Sequence, residues 1–441
     1  MTSAQVPMPP DVNQTSLYPQ VAELLKLEIL PPAPPVPPPS LPAPPSTTES
    51  QILPPAPPLA SAESPTTTPP QPPLNLILFI PGLYGSELSS TKTGVKWLNL
   101  LTVAKTAIFN NKKGHDIALP ISWENKGNSQ TQASDDLLPT DILNLSYKNW
   151  VKWSTKINGD STNNTTVVNF PWDFRRALDE INAKFELFMM EMREKFHNHM
   201  ATVVTHSTGS MIVWPTLNKH PDWFNRWYSV GGALGPGPNG LSDLGHNGFQ
   251  HAVTTLASAE TLWSFPTLYA FHALTAEESP ETGGSFLENE NGAGQVEGDL
   301  HDVEVWERLK LGVFGHGKAV SPEMKFHVAM CLKKAKEYRF LLDEGKAKLA
   351  RSREEYEHLK IVVFGSDSKK TCNSLSWVEG KGVGVKTKAA KWEMGDGTIQ
   401  GKNWRMIPCG LKYKVMISAE TTHSKLPNDA KLHAALMDVN I

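Results

Sequence analysis

An α/β fold with a mostly parallel central sheet follows from two observations: short apolar runs ended by turn residues recur along the chain, and helical patterns separate them. The run Leu76–Ile80 has no polar member and stops at Pro81-Gly82, as a strand buried on both faces should. Similar strands are predicted at Thr202–Thr205, Tyr228–Gly231, Ile361–Phe364 and Lys414–Ser418, with a helix over Ala177–His199. Gly235 to Leu300, with Gly- and Pro-rich ends around a more apolar middle, reads mostly as loop. A long charged helix, broadly Pro322 to His358, reads as too polar for a core element and is expected to cross the sheet within a cap.

Before Leu74 the chain is of another kind. It holds most of the 36 prolines and a repeated heptapeptide, Ile29–Pro35 and Ile52–Pro58. Proline fixes φ and removes a backbone donor, so residues 1–73 are expected to form a disordered, partly polyproline arm. A short amphipathic helix between Tyr18 and Leu30 is the one exception. The arm suits either an SH3- or WW-type partner or the plainer role of a spacer. The expected organisation is the arm, then a catalytic domain over 74–441 with a lid near 95–125 and a cap insertion about 235–358.

Composition narrows the function classes. The 42 Lys and Arg against 45 Asp and Glu leave no basic excess, so no nucleic-acid partner is expected. Cys331, Cys372 and Cys409 are widely spaced and odd in number, which argues against a metal or disulfide framework and for a reduced compartment. Met1 to Pro10 has no basic or apolar leader pattern, and no apolar run reaches about 18 residues. The expected location is cytoplasmic, with peripheral contact to membranes. Neither metal nor cofactor is expected.

Thr202-Val-Val-Thr-His206-Ser207-Thr208-Gly209 reads as a strand, a tight turn and a helix start. That is the nucleophile elbow of an α/β-hydrolase, which exposes a serine Oγ above the sheet edge. Thr205 stands where the usual G-x-S-x-G pattern has glycine, and a β-branched residue there is expected to crowd the turn. In this fold an acid and then a histidine follow the serine along the chain. Asp396, between Gly395 and Gly397, and His423, just past the last strand, fit that order. His423 is then the general base and Asp396 holds its tautomer. The oxyanion hole needs two backbone N–H groups; Thr208 supplies one, and Leu83 in Pro81-Gly-Leu-Tyr-Gly85 supplies the other. Singly, Asp396 merely shapes a turn and His423 merely ends a strand; their order and placement join them.

Read together, these residues resemble the lecithin:cholesterol acyltransferase family, which includes phospholipid:diacylglycerol acyltransferases and group XV phospholipase A2. Ile80-Pro-Gly-Leu-Tyr-Gly-Ser86 resembles the family's oxyanion loop, and Trp97-Leu-Asn-Leu100 its Trp-containing stretch. Phe170-Pro-Trp-Asp173-Phe-Arg175-Arg176 resembles P-Y-D-W-R with the aromatic pattern permuted. Val230-Gly-Gly-Ala-Leu-Gly-Pro236 is similar to the G-A-P-W-G-G strand end, and Gly395-Asp-Gly-Thr398 to the acid-bearing G-D-G-T-V. The resemblance spans about Leu76 to Pro427. It implies triad roles for Ser207, Asp396 and His423, and oxyanion roles for Leu83 and Thr208. It implies a lipid or membrane surface as partner, with a lid carrying Trp97, Leu98 and Leu101. Helical spacing of Trp97, Leu101, Ala104 and Ile108 fits such a lid and equally a helix packed on the core. Asp173 and Arg175 are expected to pair structurally.

The leading function is acyl transfer from a lipid ester through an acyl-Ser207 intermediate. An alcohol acceptor makes the enzyme an O-acyltransferase, and water makes it a phospholipase or lipase. The alternatives are a weakly active or inactive hydrolase-fold binding protein recruited through its arm, and a hydrolase of small non-lipid esters.

Overall fold

The computed structural model describes residues 75–109, 114–121, 136–245, 248–251, 254–280, 283–290, 294–343, 349–379, 382–383 and 389–438. The arm expected over residues 1–73 lies outside the described residues.

The central sheet has six strands: β1 (Asn75–Ile80), β2 (Thr165–Asn169), β3 (Ala201–His206), β4 (Phe224–Val230), β5 (Lys360–Gly365) and β6 (Lys414–Ile417). The apolar runs foretell all but β2, whose Thr-Thr-Val-Val-Asn buries only Val167 fully. The order is β6-β5-β4-β3-β1-β2, and every pairing is parallel. From β1 the chain lays β2 on one side, then crosses to build β3 to β6 on the other. That reversal places the switch point at the carboxyl ends of β1 and β3, where Ile80 pairs with Thr205.

Alternation along β1 sends its side chains to two separate cores. Ile77 and Phe79 pack with α1 (Asn144–Gly159), whereas Leu76, Leu78 and Ile80 pack with α2 (Leu178–Lys195), α3 (Gly209–Lys219) and α4 (Pro322–Leu342). The C-terminal helix α5 (Ala430–Met437) joins α1 on the first face. Each fully buried aliphatic or phenyl side chain contributes roughly 1.5–3 kcal/mol. Helix α3 is buried almost all round, since the sheet covers one side and α2 and α4 the other. Asn182 donates to the Ile212 carbonyl at 2.7 Å, and Tyr338 Oη donates to the Met211 carbonyl at 2.9 Å.

Three sequence expectations need correction. Between Gly235 and Leu300 the chain is largely irregular, but it carries short regular elements that the sequence did not place. It forms helices Asn239–Leu244, Ala259–Leu262 and Pro266–Tyr269, and pairs strands Phe249–His251 and Thr254–Ala257. Leu241, Leu262, Phe265, Leu268 and Tyr269 all belong to the main core. Second, α4 ends at Leu342, and a separate short 3-10 turn follows at Arg353–Tyr356. Helix α4 is a core element: Val328, Leu332, Ala335, Arg339 and Leu342 form a buried stripe. Buried Arg339 is tolerated because its guanidinium donates to the carbonyls of Leu234 and Ala270, at 2.6 and 3.3 Å.

The third correction concerns Trp97. A lid role needs it at the pocket mouth or in solvent, yet it is 1% exposed, packed against Tyr84 and Phe174. Its indole N–H donates to the Tyr84 carbonyl at 3.1 Å. Leu98 is half-buried against the same core. Leu101 lies in the helix Leu100–Phe109, and its side chain is outside the described residues.

Burial also sets an acid limit. Desolvation pushes His272 down to about 3 and His327 down to about 4 from an ordinary 6.5. Both are depressed, so the unfolded chain takes up protons first as the pH falls. Their stabilising effect is complete above about pH 6.5 and is lost as the pH drops toward their folded values. The melting temperature should fall between about pH 6.5 and about pH 5, and less steeply in His272→Leu. An identical slope in that variant would show that His272 is not involved.

Candidate active site

Ser207 sits between β3 and α3 with φ = 53°, a left-handed conformation that costs a non-glycine residue about 1–3 kcal/mol. The next strand end holds it there. Ser207 N–H donates to the Val230 carbonyl at 3.0 Å, and the Ser207 carbonyl accepts from Ala233 N–H at 3.1 Å. Glycines make the approach feasible. A Cβ on Gly209 would stand 2.6 Å from the Ile80 carbonyl, and one on Gly82 would stand 2.8 Å from Ser207 Cβ.

Thr205 does not crowd the turn. Its hydroxyl faces a buried polar cluster, bonded to Ser210 Oγ at 2.8 Å and accepting from Trp227 Nε1 at 3.0 Å. Ser210 Oγ continues to Ser229 Oγ at 3.1 Å. Glycine 232 leaves room for that cluster, since a Cβ there would lie 2.2 Å from Ser229 Oγ. A threonine supplies here what glycine cannot, a hydroxyl partner behind the elbow.

Asp396 arrives on a hairpin inserted between β5 and β6. Strand Lys369–Val378 pairs antiparallel with Ala389–Gly395, and the acid follows directly. Fully buried, it accepts at Oδ1 from Thr398 N–H (2.9 Å) and Ile399 N–H (2.7 Å). Its Oδ2 accepts from His423 Nδ1 at 2.7 Å, and its carbonyl accepts from His423 N–H at 3.0 Å. That leaves His423 Nε2 as the ring's basic nitrogen. Gly231 marks where the parts converge: a Cβ there would be 3.0 Å from His423 Nδ1 and 3.1 Å from Asp396 Oδ2. Among the described residues, Ser207 Oγ and His423 Nε2 have no hydrogen-bond partner, each other included.

The turn after β1 reaches over the elbow. Gly82 N–H is taken by Tyr147 Oη at 3.0 Å, while no donation by the N–H of Leu83 or Thr208 occurs among the described residues. Tyr84, at φ = 62°, fixes the far side of the turn. Its ring stacks on Phe249 at 4.1 Å, and its hydroxyl donates to Asp243 Oδ2 at 3.0 Å. From below, Trp172 Nε1 donates to the Pro81 carbonyl at 2.9 Å. The neighbouring Asp173 and Arg175 pair in bidentate fashion, both contacts 2.8 Å. Sequence reading placed Ser207, Asp396, His423, Leu83 and Thr208 in this region. It missed Tyr147, Asp243 and the role of Trp172; only the last stands in a recognisable motif.

A parallel sheet in this strand order, a strained serine after β3, and an acid and histidine after later strands define the α/β-hydrolase fold. No family model matches the chain, and no curated protein matches it. Among solved structures, it is similar to the Tle4–Tli4 complex, at 11% identity over 82% of this chain and 97% of that one, with a TM-score of 0.46. It is also similar to the Bacillus licheniformis lipase BlEst2 in mature form, at 12% identity over 85% and 94%, TM-score 0.35. A third is carboxylesterase CesB from Bacillus subtilis, at 10% over 83% and 84%, TM-score 0.28. Likenesses this distant carry no chemistry from those proteins to this chain.

The Tyr84–Asp243 contact is titratable. Burial pushes the Asp243 carboxyl up to about 7, against the opposing bond from Tyr84. A raised carboxyl holds its proton in the folded state after the unfolded chain has lost it. Stability therefore falls as pH rises from about 4 to about 7, opposite in sign to the histidines. Asp243→Asn keeps an acceptor without the charge. Its melting temperature relative to the parent should rise from about pH 5 to about pH 8. A pH-independent difference would show that Asp243 is not buried enough to titrate late.

Proposed function

We propose that this chain transfers acyl groups from lipid esters through an acyl-Ser207 intermediate. The observation that supports the chemistry is a strained Ser207 after β3, with a His423 ring oriented by Asp396 after β6 at the same edge of the sheet. His423 Nε2 takes the hydroxyl proton as Ser207 Oγ attacks the ester carbonyl, and Asp396 stabilises the imidazolium. The oxyanion forms against the N–H groups of Leu83 and Thr208, which have no competing acceptor among the described residues. The imidazolium then protonates the leaving alkoxide, and the acyl-serine remains. Finally His423 deprotonates the acceptor, whose oxygen attacks the acyl carbon, and the imidazolium returns that proton to Ser207 Oγ as the acyl–oxygen bond breaks. An alcohol acceptor gives an O-acyl product, and water gives a free acid.

The lipid class rests on the motif resemblance to lecithin:cholesterol acyltransferases. The corrected place of Trp97 removes it from the lipid-facing set and leaves Leu98, half-buried, as the remaining described contact. A fluorophosphonate probe should label the intact protein, and Ser207→Ala should abolish labelling. Hydrolysis of p-nitrophenyl esters should drop about a thousandfold or more, with little change in melting temperature. Comparing phospholipid vesicles with a soluble short-chain ester then tests the substrate class. Labelling that persists in Ser207→Ala would place the nucleophile elsewhere. No labelling of the parent would leave a binding protein.

A further inference from the structure

We propose that Tyr147 and His206 form a positioning strap that holds the oxyanion turn and the His423 loop in register; this rests on the catalytic reading above. Tyr147 Oη accepts from Gly82 N–H at 3.0 Å, and lies 2.9 Å from His206 Nδ1. Having accepted from the turn, the hydroxyl has one proton to give, and Nδ1 receives it. His206 then carries its own proton on Nε2, which lies 3.2 Å from the carbonyl oxygen of His423 and donates to it. The result is a one-way chain of donors from Gly82 N–H through Tyr147 and His206 to the backbone of His423. It works in one tautomer of a neutral imidazole only. Burial supports that state, holding His206 well below its ordinary range.

Packing makes the strap specific. A Cβ on Gly85 would sit 2.6 Å from Tyr147 Oη, so the turn closes around the hydroxyl because that position is glycine. Tyr147 itself is the non-helical residue of α1, with φ = −116° and ψ = 28°. Asn428, at the end of the His423 segment, fills the break that follows. Its Oδ1 accepts from Asn149 N–H and Trp150 N–H at 2.9 and 3.2 Å, and its Nδ2 donates to the Ser146 carbonyl at 2.7 Å. The kink therefore aims Tyr147 at the turn, and the histidine loop caps the kink. Neither Tyr147 nor His206 is assigned a contact with the reacting atoms. Their effect is to fix the distance between Leu83 N–H and His423 Nε2, which both act on one tetrahedral centre.

Tyr147→Phe removes the hydroxyl and keeps the ring. Fluorophosphonate labelling of Ser207 and kcat for a soluble ester should fall by roughly 10- to 100-fold, with KM nearly unchanged, because misplaced groups raise the barrier more than they weaken binding. Amide exchange at Gly82 should accelerate in the same variant, a readout that does not depend on activity. His206→Asn keeps an acceptor for Tyr147 but cannot reach the His423 carbonyl. It should lower labelling while Gly82 stays protected, and it serves as the test if Tyr147→Phe fails to fold. A folded Tyr147→Phe that labels at the parental rate would overturn the strap alone. A parent protein that is not labelled would overturn the catalytic reading, and the strap's catalytic role with it.

Discussion

The constraint on which the rest depends is the left-handed backbone of Ser207. A non-glycine residue at φ = 53° persists only when its surroundings over-determine it. Here Val230 and Ala233 grip the backbone N–H and carbonyl of Ser207, so the geometry of this residue is set by the neighbouring strand end. That strand end can approach because residues 231 and 232 are glycine, and Gly231 adopts φ = 54°. Its own N–H is held by the Phe364 carbonyl at 2.8 Å, which carries the constraint across to β5. The elbow is therefore a property of three adjacent strand ends rather than of one motif.

Parallel pairing explains why those ends coincide. All six strands point the same way, so every turn following a strand opens on one edge of the sheet. The residues of the candidate site need only follow strands: Leu83 after β1, Ser207 after β3, and His423 after β6. Asp396 departs from this economy. It follows a hairpin strand outside the central sheet, and the hairpin returns it to the edge through the Thr371 hydroxyl, which accepts from Gly397 N–H at 2.9 Å. Beneath the edge, α3 is buried almost all round, and α4 reaches it through Tyr338, whose hydroxyl donates to the Met211 carbonyl. Helices α3 and α4 thus share one core.

What the sequence revealed and what it hid follow from the range of the forces involved. Strands buried on both faces leave continuous apolar runs, so β1, β3, β4 and β5 were legible within a residue or two of their bounds, save β4, which starts at Phe224; β6 was legible too, although Lys414, Val415 and Ile417 are exposed. β2 was not, because its partly exposed face keeps threonine and asparagine. The short helices between Gly235 and Leu300 were hidden by their length; four-residue turns such as Pro266–Tyr269 show no periodicity. Helix α4 misled in the other direction. His327 and Arg339 count as polar in any pattern, yet both are buried in it. The proposed site residues stand where local chain chemistry marks them, as with Gly-Asp-Gly and the elbow. Tyr147 carries no such mark, since its meaning depends on Gly82 and His206, 65 and 59 residues away.

The polar groups around the elbow share one further property. Thr205, Ser210, Ser229, Tyr147 and His206 form neutral hydrogen bonds, and the buried carboxyl of Asp396 is turned to the far side of the imidazole. A reaction that develops negative charge on an ester oxygen gains most when fixed dipoles face it and no other anion stands nearby. Low local polarity strengthens those dipoles, but it makes any unpaired buried group costly. Giving these five side chains neutral partners meets both demands. Thr205 belongs to that scheme: it gives the region behind the nucleophile a satisfied hydroxyl at the position where glycine would leave Trp227 Nε1 without its acceptor.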